Sequence, residues 1–211
     1  NTMKNILYDM ETNDPDDFMG LLYLLANPNC NLVGITLSPG TQEQYNIIKN
    51  TLNILERNIP IGSGNDDKLG FVSLFHNQLI PPSNLPKELS NLETFKKTIS
   101  QYSDLIIITG GSLTNLAEYI ENNKVQTVYT QGGFAGTNLV KNPLPKFKDK
   151  MYCRTHNLEL DYESTIKVLE SNNIEKHYFI SKNVCHGTEF GVDNFNNLRT
   201  CKSKEGQLLH S

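Results

Sequence analysis

Two hydrophobic rhythms alternate along this chain. Ile6-Leu7-Tyr8 is a short apolar run that predicts a strand over residues 5–8. A polar stretch rich in carboxylates follows, with Asp9, Glu11, Asp14, Asp16 and Asp17. Phe18, Leu21, Leu22, Leu24 and Leu25 then recur at helical spacing, which predicts a helix over about 15–26. Leu32-Val33-Gly34-Ile35-Thr36-Leu37 returns to the strand pattern. Strand, helix, strand is a βαβ unit, whose crossover is expected to be right-handed and its strands parallel.

The alternation continues. A helix is expected over 42–57, with Tyr45, Ile48, Leu52 and Leu55 on one face, and a short strand at Ile59-Pro60-Ile61-Gly62. Residues 66–92 show no period and carry Pro81, Pro82 and Pro86, the composition of a long lid or binding loop. His76 lies there and is a candidate substrate-binding residue. A helix over 92–102 leads to Leu105-Ile106-Ile107-Ile108-Thr109, a run that reads as a strand buried on both faces. Gly110-Gly111-Ser112 then turns into a helix near Leu113. Further strands are expected at 125–129 and 177–181, with a helix between them over 162–171. Asp161 stands where it can cap that helix. The tail from Phe190 is weakly patterned. The expected architecture is one α/β domain over residues 1–211 with an open, mostly parallel, doubly wound sheet, shortened or incomplete after about residue 190.

Composition narrows the function. A net charge of −4 argues against a general electrostatic grip on nucleic acid. No apolar run approaches the ~20 residues of a membrane span. Asn1-Thr2-Met3-Lys4 runs straight into the first strand, leaving no room for a signal peptide. Cys30, Cys153, Cys185 and Cys201 are widely spaced, as free thiols of a cytoplasmic protein are, and form no zinc pattern. Self-association is left open.

The carboxylate-rich loop carries the candidate chemistry. In an open α/β sheet, ligands sit beyond the carboxyl ends of the strands, and this loop follows the first strand. Crowded carboxylates repel unless solvated, protonated or neutralised by a cation, and hard oxygen ligands suit Ca²⁺ or Mg²⁺. The alternative is a solvated loop whose acids favour the start of the helix through its dipole.

With these motifs placed in order, the chain resembles the inosine–uridine-preferring nucleoside hydrolases. Their opening D-x-D-P-G-x-D-D is matched, one residue longer, by Asp9-Met10-Glu11-Thr12-Asn13-Asp14-Pro15-Asp16-Asp17. Thr109-Gly110 with Leu113-Thr114-Asn115 matches their T-G-x-x-T-N, with one residue more between the two parts. Gln131-Gly132-Gly133-Phe134 matches a glycine turn, and Thr155-His156-Asn157 with Asp161 and Glu163 matches E-F-N-x-x-x-D-P-E. The resemblance implies a Rossmann-like core and Ca²⁺-dependent hydrolysis of the N-ribosidic bond of a small-molecule nucleoside. It makes Glu11, Asp17 and the Thr109 carbonyl calcium ligands. Asp16, Asn157 and Thr155 fall on the ribose, and Asp9 or Asp17 is the proton acceptor.

Thr155 departs from the family, which has a glutamate there on the ribose 5′ side. Leu208-Leu209-His210 resembles the approach to the family's late His-Asp pair, making His210 a catalytic candidate, but Ser211 stands where the aspartate is expected. Weak turnover by these 211 residues is the corresponding expectation. Two other readings compete. One is a ribosyl- or partner-binding module without catalysis. The other is a Mg²⁺-dependent phosphatase of the haloacid-dehalogenase type, with Asp9 as nucleophile in Tyr8-Asp9-Met10-Glu11-Thr12.

Overall fold

The computed structural model describes residues 3–211. Asn1 and Thr2, placed by the sequence just ahead of the first strand, lie outside the described residues.

The elements run β1 (Lys4–Met10), α1 (Pro15–Ala26), β2 (Cys30–Leu37), α2 (Gln42–Ile54), β3 (Gly62–Ser63), α3 (Leu74–Leu79), β4 (Leu89–Ser90), α4 (Asn91–Gln101), β5 (Ile106–Thr109), α5 (Thr114–Ile120) and β6 (Val125–Gln131). Then come α6 (His156–Glu159), α7 (Tyr162–Glu170), β7 (Ile174–Ile180), α8 (Lys182–Cys185), α9 (Val192–Asn197) and α10 (Lys204–His210).

Five strands form one parallel sheet in the order β2-β1-β5-β6-β7. The five strand segments read from sequence are therefore neighbours. The chain winds outward from β1 to β2, then crosses back and winds the other way through β5, β6 and β7. The reversal falls between β1 and β5, paired from Ile6 with Ile106 to Asp9 with Thr109. Such a switch point opens a crevice at the carboxyl ends of the two strands.

Two cores sandwich the sheet. Ile6, Tyr8 and Met10 of β1 pack with Phe18 and Leu21 of α1 and Tyr45 and Ile48 of α2. Leu7 packs on the opposite face with Phe95 of α4, Leu116 and Tyr119 of α5 and Val168 of α7. Alternate residues of β1 thus enter opposite cores, so every side chain from Ile6 to Met10 is buried.

The helix starts follow local chemistry. Pro15 occupies the first turn of α1 with Asp16 and Asp17, where a missing N–H costs nothing and carboxylates meet the positive end of the dipole. Thr41 with Gln44 and Ser90 with Glu93 form capping boxes on α2 and α4. Asp161 caps α7 as its position suggested, its Oδ1 accepting from the Ser164 amide at 3.1 Å.

Three readings of the sequence change. The helix expected over 42–57 stops at Ile54, and Glu56 has a φ of 57°, a left-handed residue that breaks the helix. The strand expected near Ile61 shrinks to a bridge from Ile61 to Ile35 plus the two-residue β3, paired with β4. Residues 66–92 are not wholly irregular, since α3 lies within them. The tail folds back, and Leu208 and Leu209 of α10 join the core beside α1.

Candidate functional site

Glu11, Asp16 and Asp17 offer carboxylate oxygens within 4.8 Å of one another at the switch point. Their positions are fixed by the loop's own hydrogen bonds. The Glu11 amide donates to Asp17 Oδ2 at 3.0 Å, the Asp17 amide donates to Asp16 Oδ1 at 2.9 Å, and the Asn13 amide donates to Glu11 Oε2 at 2.6 Å. Thr12 anchors the loop from below, donating to the Phe71 carbonyl at 2.6 Å and accepting from Gln44 Nε2 at 3.0 Å.

Asp17 is buried, and its carboxylate lies against the α-carbon of Gly110, where a β-carbon would overlap both oxygens. The turn after β5 can therefore carry no side chain at that position.

These carboxylates are held under electrostatic tension. Burial pushes Asp17 well above the usual aspartate range, with the charges of Glu11 and Asp16 adding to it against the Glu11 amide. Glu11 rises from 4.5 to about 7, chiefly through burial, with Asp16 and Asp14 adding and the Asn13 amide opposing. A cation would remove both penalties. The donor set is three hard carboxylates on a tight loop, and it fits a divalent ion that prefers oxygen.

Asp9 behaves differently. It has 0 % exposure and lines neither of the clefts described below. Its Oδ1 accepts from Thr36 Oγ1 at 2.6 Å and Asn115 Nδ2 at 2.8 Å, while Oδ2 is buried without a partner. Burial raises its pKa to about 6, against the hydrogen bonds from Thr36 and Asn115. A group enclosed in this way cannot attack a phosphate or take a proton from a bound water. The aspartyl-nucleophile reading fails on access, and the same geometry moves Asp9 from proton acceptor to internal support.

Two clefts meet at Glu11, Asn13 and Leu160. The larger, of about 530 Å³, reaches across Ser38, Ser112, Thr114 and Lys68. The smaller, of about 290 Å³, runs from Glu11, Asp14 and Asp16 past Gly110 and Gln131 to Thr155, Asn157, Lys182 and His186. Asn157 Nδ2 donates to the Gly110 carbonyl at 2.8 Å and to Gln131 Oε1 at 2.5 Å, which ties α6 to the ends of β5 and β6. Thr109 is buried level with Asp9, its hydroxyl donating to Thr130 Oγ1 at 3.0 Å.

The smaller cleft thus gathers Glu11, Asp16, Gly110, Asn157 and Thr155, with the Asp17 carboxylate buried against Gly110 and within 4.8 Å of those of Glu11 and Asp16. Two histidines fall outside it. His76 sits within α3, buried edge-on against Phe18 with ring centroids 5.1 Å apart, its Nδ1 2.7 Å from Ser73 Oγ. Neither cleft includes it, because aromatic packing draws it under the loop. His210 ends α10 and stacks on Phe195 at 4.9 Å; it too lines neither cleft.

Sequence reasoning missed Asn115 as the partner of Asp9, although the Thr114-Asn115 pair was noted. It also missed Gln131, Lys182 and His186 as lining residues. Gln131 stood in the matched glycine turn, whereas Lys182 and His186 were signalled only by their place after a strand.

A family model described as inosine-uridine preferring nucleoside hydrolase matches residues 6–211. An uncharacterised protein of Aquifex aeolicus (strain VF5) is 28% identical over 191 residues, covering 86% of this chain and 65% of its own length. The pyrimidine-specific ribonucleoside hydrolase RihA of Shewanella sp. (strain MR-7) is 25% identical over 174 residues, covering 72% of this chain and 54% of its own. The chain therefore spans less than two thirds of either curated relative. The purine-preferring ribonucleoside hydrolase from Gardnerella vaginalis shares the fold, with a TM-score of 0.71 at 18% identity over 98% of this chain and 70% of that one.

Proposed function

Because this chain belongs to the inosine-uridine preferring nucleoside hydrolase family, we propose that it hydrolyses the N-ribosidic bond of a ribonucleoside, with Ca²⁺ held by Glu11, Asp16 and Asp17. The observation that carries this reading is the convergence of those three carboxylates, within 4.8 Å, at the switch point between β1 and β5.

When bound, the cation supplies positive charge that gathers vicinal hydroxyls and makes a nearby water more acidic. The rest is chemistry of the chain's own residues. Asp16 is exposed at the cleft mouth and accepts from a ribose hydroxyl. Asn157 spends its amide hydrogens on Gly110 and Gln131, which leaves its carbonyl oxygen as the acceptor for a second ribose O–H. Glu11 lines both clefts and takes the proton of the attacking water. Water adds at C1′, the bond from C1′ to the base nitrogen breaks, and the base leaves with a proton from solvent. Positive charge grows on the ribose ring as that bond stretches, and the surrounding carboxylates stabilise it. Asp9, locked by Thr36 and Asn115, holds the ends of β1, β2 and α5 in register beneath the loop.

The test is release of free base from inosine and uridine, with Ca²⁺ and with a chelator. Hydrolysis that needs the cation is expected. Cation-dependent ribose binding without base release would select the non-catalytic binding module instead.

A further inference from the structure

The smaller cleft is electrically polar. Glu11, Asp14 and Asp16 line it from the loop after β1, and Lys182 and His186 line it from the segment after β7, with β5 and β6 between those strands in the sheet. The acidic side has an occupant in the reading above. The basic side has none.

Among the described residues, no carboxylate forms an ion pair with that side, although Glu159 lies near enough to feel the Lys182 charge. Lys182 Nζ donates to the Arg154 carbonyl at 2.8 Å, and Lys146 Nζ lies 2.6 Å from His186 Nδ1. Among the described residues, neither lysine and no atom of His186 pairs with a carboxylate. The nearby Glu159 is engaged by Arg154 at 2.8 and 3.0 Å. Lys146 can only donate, so His186 Nδ1 must accept, and the ring proton sits on Nε2 as a donor. The imidazole is held in place by packing on Phe147, with ring centroids 5.5 Å apart. The neighbouring lysine charges, after burial, hold its pKa below the usual histidine value. One ammonium group and an imidazole N–H thus line the cleft together, with a second ammonium behind the imidazole, a donor set that suits an anion.

Ribose geometry says which anion. A ribose whose 2′,3′-diol edge faces Glu11 and Asp16 carries its C5 substituent away from that edge. We propose that this cleft takes a ribosyl ligand phosphorylated at C5, its phosphate bound by Lys182 and the His186 Nε2–H with Lys146 adding charge behind them. The substrate class becomes the ribonucleoside 5′-phosphates. The inference rests on the proposed function for the placement of the ribose.

Calorimetric titration of the 211-residue chain in Ca²⁺ tests it, with ribose, ribose 5-phosphate and inorganic phosphate as probes. Ribose 5-phosphate is expected to bind at least about tenfold more tightly than either of the others. That advantage should shrink about tenfold in Lys182→Ala, and by a smaller factor in Lys146→Ala, whose side chain is exposed and whose loss leaves the fold unthreatened. Equal binding of ribose and ribose 5-phosphate overturns the proposal. So does inorganic phosphate binding as tightly as the sugar phosphate, or a preference that survives in both variants. Inosine and inosine 5′-monophosphate, assayed in parallel, separate the two levels. Hydrolysis of inosine with no gain from the phosphate overturns this inference and leaves N-ribosyl hydrolysis standing. Tight, Lys182-dependent binding of ribose 5-phosphate with neither compound hydrolysed supports it and overturns the catalytic reading.

Discussion

Glu11 joins both clefts, and its carboxyl is the most informative titrating group in the chain. Its pKa is raised from 4.5 to about 7, Asp9's from 3.8 to about 6, and Asp17's well above 3.8. Each folded value lies above the unfolded one. The folded chain therefore holds more protons than the unfolded chain between about pH 4 and pH 7, and stability falls as pH rises through that window. Carboxylates with lowered pKa, such as Glu93 and Glu159, act in the opposite sense and at lower pH. Without divalent cations, the melting temperature is expected to fall from pH 4.5 to pH 7. Added Ca²⁺ competes with protons for the same oxygens, so its stabilisation should be larger at pH 7.5 than at pH 5. Thermal melts across that range, with and without Ca²⁺, check both trends. A cation-free melting temperature that climbs through the window would contradict the assignment of these groups as strained acids. Burial of Asp9 was legible in principle, because Ile6-Leu7-Tyr8 and Met10 are apolar at every position and leave the strand no solvent face. The partner of Asp9 was not legible, since Asn115 lies 106 residues away.

Between elements, Gln44 of α2 does the tying. It is buried, its Oε1 accepts from the Gly40 and Thr41 amides at 2.8 and 3.1 Å, and its Nε2 donates to Thr12 Oγ1 and the Ser38 carbonyl at 3.0 Å. One side chain thus joins the loop after β2 to the acidic loop after β1. Gln44→Ala leaves two amides without an acceptor, and an orphaned buried group costs about 1–3 kcal/mol. Urea unfolding should show a loss of about 3 kcal/mol, with weaker Ca²⁺ binding because Thr12 is released. A loss below ~0.5 kcal/mol would mean the loop is held by other contacts. Elements with a strong period and a start signal were readable from sequence, as α1 with Pro15 and α7 with Asp161 show. Short elements were not. The six residues of α3 give too little periodicity to stand out from the prolines around them, so His76 read as loop and proved to be packed. Lys182 and His186 are single polar residues on and beside a four-residue helix, and only the order of the strands brings them into the same cleft as the acidic loop.

At the scale of the molecule, the sheet order decides where chemistry can occur. Strand identities came from the sequence, but the site depends on β1 and β5 being adjacent while their crossovers run apart, which is a property of the folded chain. That reversal places Gly110 against Asp17 and opens the crevice that Glu11 and Asp16 enter. We propose this crevice as a cation site. Calorimetric titration of Ca²⁺ into the cation-free chain, into Asp17→Asn and into Gly110→Ala tests it most directly. Asp17→Asn keeps the shape and removes the charge, whereas Gly110→Ala keeps the charge and drives a β-carbon into the carboxylate. One Ca²⁺ per unaltered chain is expected, with a loss of affinity of at least about 100-fold in each variant. Variants that bind Ca²⁺ as the unaltered chain does, or an unaltered chain that takes up none, would contradict it.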